Sequence, residues 1–182
     1  MLRRSFGARV IALVAGVCLS HVGVSQAAAE GCAGAAAVPV DGTTQAQATH
    51  TVLCLVNRRR AAHRLRRLRL SEELSLAARD HSDDMVARTY FAHDGPAGDT
   101  LRTRVRSSGY TRKHPAYDVG EALAWGQFVS PGGLVAALMR SAVHRRILLT
   151  PGGRDLGIGL TLGAPTGGIL DPSSTLVLDI GS

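Results

Sequence analysis

Two histidines and one glutamate are the side chains of this sequence that could act together at one site. His93 follows the aromatic pair Tyr90-Phe91, Glu121 follows a glycine, and His144 precedes an arginine. Each stands at the edge of a predicted element, which is where a rigid frame usually carries functional side chains. Imidazole and carboxylate groups are ligands of zinc, and three of them with a water form a catalytic zinc centre. The three residues therefore predict a site, with His93 and His144 as candidate metal ligands.

Three kinds of chemistry fit this set. A divalent metal such as zinc would lower the pKa of a bound water and make it a nucleophile. Without a metal, Glu121 could orient one imidazole while the other moves a proton. In the third case the side chains satisfy each other's hydrogen bonds and only shape the walls of a cleft. The sequence has neither a His-Glu-x-x-His motif nor a serine in a nucleophile elbow, so catalytic residues stay unassigned and enzymatic activity is an open question.

The first 27 residues have the pattern of an export signal. Arg3, Arg4 and Arg9 precede an apolar run at positions 10–19, and small residues follow it. This order is typical of a cleaved secretory signal, and ten apolar residues are too few for a membrane span, which needs about 20. The alternative is an uncleaved anchor. We expect a secreted protein, extracellular or in the cell envelope, with no membrane span after removal of the signal.

The positive charge comes almost wholly from arginine. Lys113 is the only lysine, and the formal net charge of +7 would fall to +4 without residues 1–27. Such a balance favours contact with anionic surfaces such as cell-wall polymers or lipid headgroups. The run Arg58-Arg59-Arg60, with more arginines up to position 69, lacks the interleaved aromatic residues that stack on bases. We interpret it as a solvated helix end and loop, and we expect no nucleic-acid partner.

Cys32 and Cys54 remain after removal of the signal, which contains Cys18. An even pair of cysteines in an oxidising compartment predicts a disulfide, which would tie the N-terminal segment to the first helix. The alternatives are two free thiols or one catalytic thiol. Cys54 lies between Leu53 and Leu55 in an apolar helical pattern, which suits a disulfide or a buried thiol better than a nucleophile.

Apolar periodicity and capping residues predict four helices. Residues 28–48 lack the periodicity and are interpreted as a flexible tail. His81 falls on the apolar face of the second helix, where we interpret it as a packed residue rather than a ligand. The expected helices run from Ala48 to about Ala62, from the N-cap Ser71 to about Arg88, from Asp99 or Thr100 to Gly109, and onward from Ser130-Pro131.

Strand signals come mostly after the helices. Residues 119–125 alternate as in a half-buried strand, and the short apolar runs at 156–162 and 175–180 are expected to pair antiparallel. Helices first and strands last favour a layered α+β domain over a parallel α/β repeat.

Several short motifs occur in an order typical of one family. They are Val56-Asn57-Arg58, His81 to Met85, Tyr90 to His93, Gly120-Glu121-Ala122, Met139 and Ser141 followed by His144-Arg145, and Leu156-Gly157-Ile158-Gly159. Together they resemble the CAP superfamily, also called the SCP or pathogenesis-related-1-like family, in its short secreted bacterial form. The resemblance extends from about Leu53 to Ile180.

The resemblance implies a three-layer αβα sandwich, an α+β fold with a central and mostly antiparallel sheet, formed by residues 49–182. In relatives a cleft is lined by two histidines and one or two acids, which by motif are His93, Glu121 and His144. Ala122 stands where the family has Asn, and Leu138 where it has Trp. No second glutamate precedes His144, so we expect a divergent cleft.

The function that this resemblance implies is binding of a small apolar or cell-envelope ligand, with a lipid or a cell-wall component as the candidate partner. The alternative is a metal-dependent hydrolase that acts on peptide or ester bonds with the same cleft. A third hypothesis is a structural component of the envelope. The sequence predicts neither the ligand's identity nor the oligomeric state.

Overall fold

The computed structural model describes residues 31–168 and 172–182. The predicted export signal at 1–27 lies outside the described residues. None of the helices in these two ranges is both long enough and apolar enough to cross a membrane. The elements are α1 (Gly42–Ala62), β1 (Arg69–Leu70), α2 (Glu72–Ala87), α3 (Leu101–Ser107), α4 (Tyr110–Lys113), β2 (Val119–Gln127), α5 (Pro131–Arg140), α6 (Ala142–Leu148), β3 (Asp155–Leu162) and β4 (Ser173–Gly181).

The four strands form one sheet in the order β1-β3-β4-β2. β4 pairs antiparallel with both β3 and β2, and the two-residue β1 pairs parallel with β3. The predicted antiparallel pairing of the last two strands is confirmed. Within the described residues β2 pairs with β4 alone, so it forms one edge of the sheet.

Helices cover both faces of the sheet. α1, α5 and α6 pack on one face, and α2 and α3 pack on the other. Alternate residues of each strand therefore enter two different cores. The first core includes Val52, Val56, Leu134, Leu138, Leu156, Ile158, Leu176 and Leu178, and the second includes Leu74, Ala77, Ala78, Met85, Val105, Leu123 and Val177. This arrangement is the predicted αβα sandwich.

Two glycines allow α2 to lie directly on β3. A Cβ atom on Gly157 would overlap the backbone of Leu74, and one on Gly159 would overlap the backbone of Ala78. Glycine within a strand often marks such a close approach of another backbone. The Gly157 and Gly159 positions therefore set the distance between the helix and the sheet.

The first helix begins at Gly42, and the predicted start at Ala48 is wrong. Asp41 caps it: the Asp41 carboxylate accepts a hydrogen bond from the Thr44 N–H at 2.8 Å, and the Thr44 hydroxyl accepts one from the Asp41 N–H at 3.0 Å. This capping box stabilises a helix start without any apolar periodicity. The prediction of a flexible tail over 28–48 is therefore wrong for residues 42–48, which are helical.

The segment before α1 is held to the helical layer that contains α1 and α5. Cys32 and Cys54 form a disulfide, which confirms that prediction over the free-thiol alternatives. The Thr51 hydroxyl donates a hydrogen bond to the Ala33 carbonyl at 2.6 Å. The Gly132 N–H, in the first turn of α5, donates to the Ala35 carbonyl at 2.9 Å.

Candidate functional site

Glu121 is the centre of a buried polar cluster on the side of the sheet covered by α2 and α3. Its side chain is only 2% exposed. His93 Nδ1 lies 2.7 Å from Glu121 Oε1, and Arg104 Nη2 lies 2.7 Å from Oε2. Because an ionised carboxylate can only accept hydrogen bonds, both groups donate to it. Each oxygen of Glu121 thus already has a nitrogen donor.

Arg104 joins Glu121 to the loop that carries His93. Its guanidinium also donates to Asp99 Oδ2 at 2.9 Å and to the His93 carbonyl at 3.0 Å. A buried guanidinium that donates hydrogen bonds to three acceptors fixes all three in position. Arg104 therefore positions the backbone of His93, while Glu121 orients its ring.

The sequence analysis did not single out Arg104. The signal that could have found it is its place on α3, three residues after Leu101 and directly before Val105, on the apolar side of that short helix. A buried arginine almost always has hydrogen-bond partners, so an arginine on an apolar face indicates acceptors elsewhere in the fold, which can be acids or backbone carbonyls.

His81 lies beside the cluster and is fully buried. Its Nε2 is 2.9 Å from the Ala92 carbonyl and 4.0 Å from Glu121 Oε2. Burial lowers the pKa of His81 and outweighs the opposing effect of the Glu121 charge. The neutral ring donates to Ala92, so His81 is packed, as interpreted, and also holds the loop before His93.

Asp179 on β4 lies opposite Glu121 on β2. It is fully buried, and neither carboxyl oxygen has a hydrogen-bond partner among the described residues. Burial raises the pKa of Asp179 well above its ordinary value, and the Glu121 charge raises it further, while Arg104 opposes both. Sequence reasoning missed Asp179, although an acid inside the apolar run 175–180 was a visible signal.

His93 is the accessible member of the cluster, with 58% of its side chain exposed. Nδ1 contacts Glu121, and Nε2 has no hydrogen-bond partner in the described part of the chain. The prediction that His93 and Glu121 lie together thus corresponds to a direct hydrogen bond in the structure. One ring nitrogen of His93 is left for a ligand.

His144 lies in the first turn of α6, a short helix that begins after the N-cap Ser141. Burial lowers the pKa of His144, and the nearby His93 lowers it further. An effect of one imidazole on the other requires that they lie near each other. Within the described ranges no hydrogen bond joins His144 to either His93 or Glu121, so its link to the pair is the electrostatic effect of His93 alone.

A cavity of about 330 Å³ is lined by sequence neighbours of His93 and Glu121, and neither His93 nor Glu121 is itself among its lining residues. Asp94, the next residue after His93, is on its wall, as is Val119, which lies on the same face of β2 as Glu121. The lining combines apolar side chains with a polar rim. The other lining residues are Thr100, Leu101, Arg102, Val105, Tyr117 and Asp118.

The donor set does not fit a three-ligand metal centre. Among residues 31–168 and 172–182, no three His, Cys, Asp or Glu side chains are grouped so that they could hold a metal ion. Both oxygens of Glu121 already accept hydrogen bonds, and the Arg104 cation beside them disfavours a second cation. The metal pair His93 and His144 stays a prediction, and we derive no metal-dependent step.

Residues 53–170, well over half of the chain, match the model of the cysteine-rich secretory protein family, CAP. This chain belongs to the CAP family. The predicted family and its αβα fold are confirmed. The CAP assignment gives the fold, and it does not by itself give a reaction or a ligand.

Relatives and solved structures agree with the CAP assignment. YkwD of Bacillus subtilis, described as an uncharacterised protein, is 34% identical over 108 residues, which are 59% of this chain and 40% of YkwD. An extracellular protein of Bacillus anthracis that contains an SCP domain matches 77% of this chain and 44% of its own, with 24% identity and a TM-score of 0.60. An outer surface protein of Borrelia burgdorferi matches 79% of this chain and 96% of its own, with 16% identity and a TM-score of 0.63.

The chain spans less than half the length of YkwD and of the Bacillus anthracis protein. The similarity to the two solved structures therefore shows the shared domain. It does not extend to the activities of the longer proteins.

Proposed function

We propose that this CAP-domain protein is exported and binds a small amphipathic ligand in the cleft beside His93. The observation that carries the proposal is an exposed imidazole, fixed by a buried ion pair, whose next residue in the chain, Asp94, lines a cavity with both apolar and polar side chains. Ligand sites typically combine an apolar cavity with a few precisely placed polar groups. The ligand would place its apolar part against Leu101, Val105 and Val119 and its polar head at His93.

The fixed ring of His93 suits recognition of a polar head group. Nε2 accepts a hydrogen bond when the imidazole is neutral and donates one when it is protonated. A hydroxyl or a carboxylate of the ligand would therefore form a hydrogen bond with Nε2 of His93. Because Glu121 and Arg104 already hold the ring and its backbone, little side-chain freedom is lost on binding.

Export is supported by three features. The pattern at residues 1–27 is that of a secretory signal. The Cys32–Cys54 disulfide is typical of proteins in oxidising compartments. Two proteins of similar fold are described as extracellular and as an outer surface protein.

Binding is favoured over hydrolysis because the cluster lacks a nucleophile. In the described ranges no hydroxyl or thiol is hydrogen-bonded to the imidazole of His93 or of His144. A nucleophile activated by a base is normally within hydrogen-bond reach of it. The polar groups of the cluster are instead bonded to each other.

Native mass spectrometry and calorimetric titration with dodecanoate test the proposal. We expect a one-to-one complex with the purified protein.

His93→Gln should weaken dodecanoate binding about fivefold, since a ligand hydrogen bond contributes about 1 kcal/mol. Val119→Trp should abolish binding by filling the cavity. His63→Gln, at an exposed position that follows α1, is the matched control and should bind as the wild type does. Purified protein without ligand, together with no uptake of dodecanoate, would overturn the proposal, as would equal weakening by both histidine variants.

A further inference from the structure

We propose that a second surface, formed by the exposed arginines of the α1 end and the following loop, binds a phosphate-bearing anionic polymer. We call this surface the arginine face. It is separate from the cleft and does not depend on the function proposed for the cleft. Its members are Arg58, Arg59, Arg64, Arg66 and Arg67, all of which are exposed.

The charge of the arginine face is not neutralised within the domain. Positions 42–71 contain no aspartate or glutamate. No ion pair joins any of the five arginines to an acid of the described chain; nearby, only Arg69 is paired, with Asp155 at 3.3 Å. Five unpaired guanidiniums within ten residues of chain create a local positive potential that attracts a polyanion.

The backbone beneath the face is fixed by a buried arginine. The Arg60 guanidinium is fully buried and donates hydrogen bonds to the carbonyls of Arg66 at 2.8 Å, Leu148 at 2.8 Å, Thr150 at 3.0 Å and Gly153 at 3.3 Å. All of these partners are backbone carbonyls and none is an acid, so Arg60 adds a further positive charge below the surface.

Asn57 fixes the same loop from its other end. Its side chain donates to the Leu68 carbonyl at 3.0 Å and accepts from the Leu68 N–H at 2.7 Å. The sequence pattern alone indicated a solvated helix end. The structure adds a rigid frame, and a preformed surface loses less entropy when it binds than a mobile chain segment does.

Phosphate is the anion that this composition fits best. The face uses arginine only, and the planar guanidinium can donate two parallel hydrogen bonds to one phosphate. One side of α1 carries a depression of about 260 Å³ in which a phosphate group would fit. It is lined by Leu55, Arg58, Arg59 and Ala62.

Two other polyanions fit less well. Positions 42–71 contain no aromatic residue, so the face has no platform for stacked bases and no aromatic anchor for a membrane interface. Leu70 is the one large apolar side chain exposed in that segment, which is too little apolar surface to insert into a bilayer. We therefore commit to a polymer of phosphate groups.

Binding of the full chain to immobilised inorganic polyphosphate tests the proposal. The face variant replaces Arg59, Arg66 and Arg67 by Gln. The control variant replaces Arg79, Arg106 and Arg140 by Gln; these are also exposed and unpaired in the described chain, so both variants lose the same charge. We expect the face variant to bind about tenfold more weakly and the control to change less than threefold, with wild-type affinity falling steeply as salt increases, because bound phosphates release counterions.

Equal losses in the two variants would overturn the proposal, because they would mean that net charge alone drives binding. Tighter binding to phosphatidylglycerol vesicles or to single-stranded RNA than to polyphosphate would also overturn it, in favour of those partners. Thermal unfolding checks that both variants fold. Dodecanoate titration of the face variant should match the wild type, so failure at this face is distinguishable from failure at the cleft.

Discussion

Asp179 is an acid in the interior of the domain, and its carboxyl group has no hydrogen-bond partner in the part of the chain that the structure describes. A buried polar group without a partner costs about 1–3 kcal/mol, and a buried charge costs more. The Arg104 charge already pairs with Glu121 at 2.7 Å and with Asp99 at 2.9 Å, so a third carboxylate there would be in excess. A proton on Asp179 removes that excess charge, which is why burial and Glu121 raise its pKa.

Replacement of Asp179 by Asn should therefore change the pH dependence of stability. The pKa of Asp179 is raised in the folded state, so its contribution to the free energy of unfolding is most favourable below the ordinary pKa of 3.8. That contribution is lost as the pH rises towards the folded-state pKa. As the pH rises from 4 to 7, we expect the free energy of unfolding of Asp179→Asn to increase by about 1–3 kcal/mol relative to that of the wild type. Urea unfolding at each pH measures this difference.

Asp80→Asn, at an exposed position of α2, is the control for this series. It should follow the wild-type pH dependence. A difference between Asp179→Asn and the wild type that stays constant from pH 4 to pH 7 would contradict the protonated state of Asp179.

The pKa of His144 should depend on the presence of His93. Burial is the main cause that lowers the pKa of His144, and the charge of His93 is the second. In His93→Gln the pKa of His144 should rise, yet stay below its ordinary value because burial is unchanged. Titration of the His144 ring signals by NMR measures this, with His63→Gln as the control. A pKa of His144 that is the same in His93→Gln and in the wild type would mean that the two rings do not share one cleft.

Sequence motifs were sufficient to propose His93 and Glu121, because both occur in short family patterns. Arg104 and Asp179 could not be found in this way. Their roles arise from pairing across the fold: Asp179 meets Glu121 only through the register of β2 with β4, and Arg104 meets it only through the packing of α3. The sequence marks each of them as a charged residue on an apolar face or in an apolar run, but it does not identify the partner.

At the level of the elements, local chemistry predicted the helix starts well. Ser71, Thr100 and Ser130 each accept a hydrogen bond from a backbone N–H of the first turn of the helix that follows, as capping residues do. The short helices α4 and α6, of four and seven residues, were not predicted. The seven-residue α3 was predicted, from its capping residue Thr100 and the glycine that follows it. The sheet order was not predicted either, because it depends on long-range pairing.

Because α2 lies directly on β3, one added methyl group at Gly159 should lower the stability of the domain strongly. Gly159→Ala would push a Cβ atom into the backbone of Ala78, which cannot move aside as a flexible side chain can. We expect a loss of about 3 kcal/mol in the free energy of unfolding, at the upper end for an overpacked core. Gly167→Ala is the control, because a Cβ there meets open space. Equal stability of the two variants in urea unfolding would show that α2 does not lie this close to the strand.

For the molecule as a whole, the cleft cluster depends on parts of the chain that are far apart in sequence. Glu121 comes from β2, Asp179 from β4, Arg104 from α3 and His93 from the loop after α2. The side chains of the arginine face, in contrast, all come from α1 and the loop that follows it, and Arg60 ties this loop to the carbonyls of Leu148, Thr150 and Gly153. The two surfaces are thus assembled from separate side chains, although both depend on the folded sandwich.

The Cys32–Cys54 disulfide allows that separation to be tested, because it joins residues 22 positions apart at the start of the fold. In the chain-entropy model a loop of this size stabilises the folded state by about 3 kcal/mol. Cys32→Ser with Cys54→Ser should lose that amount in urea unfolding, and reduction of the wild type should cause the same loss. Dodecanoate and polyphosphate binding should both persist at temperatures where the variant is folded. The disulfide is attached to α1, which packs on the opposite face of the sheet from Glu121, and neither cysteine is a hydrogen-bond partner of Arg60. Equal stability of the double variant and the wild type would mean that the disulfide does not constrain the unfolded chain. Loss of dodecanoate binding by the folded variant would mean that the segment before α1 is part of the cleft.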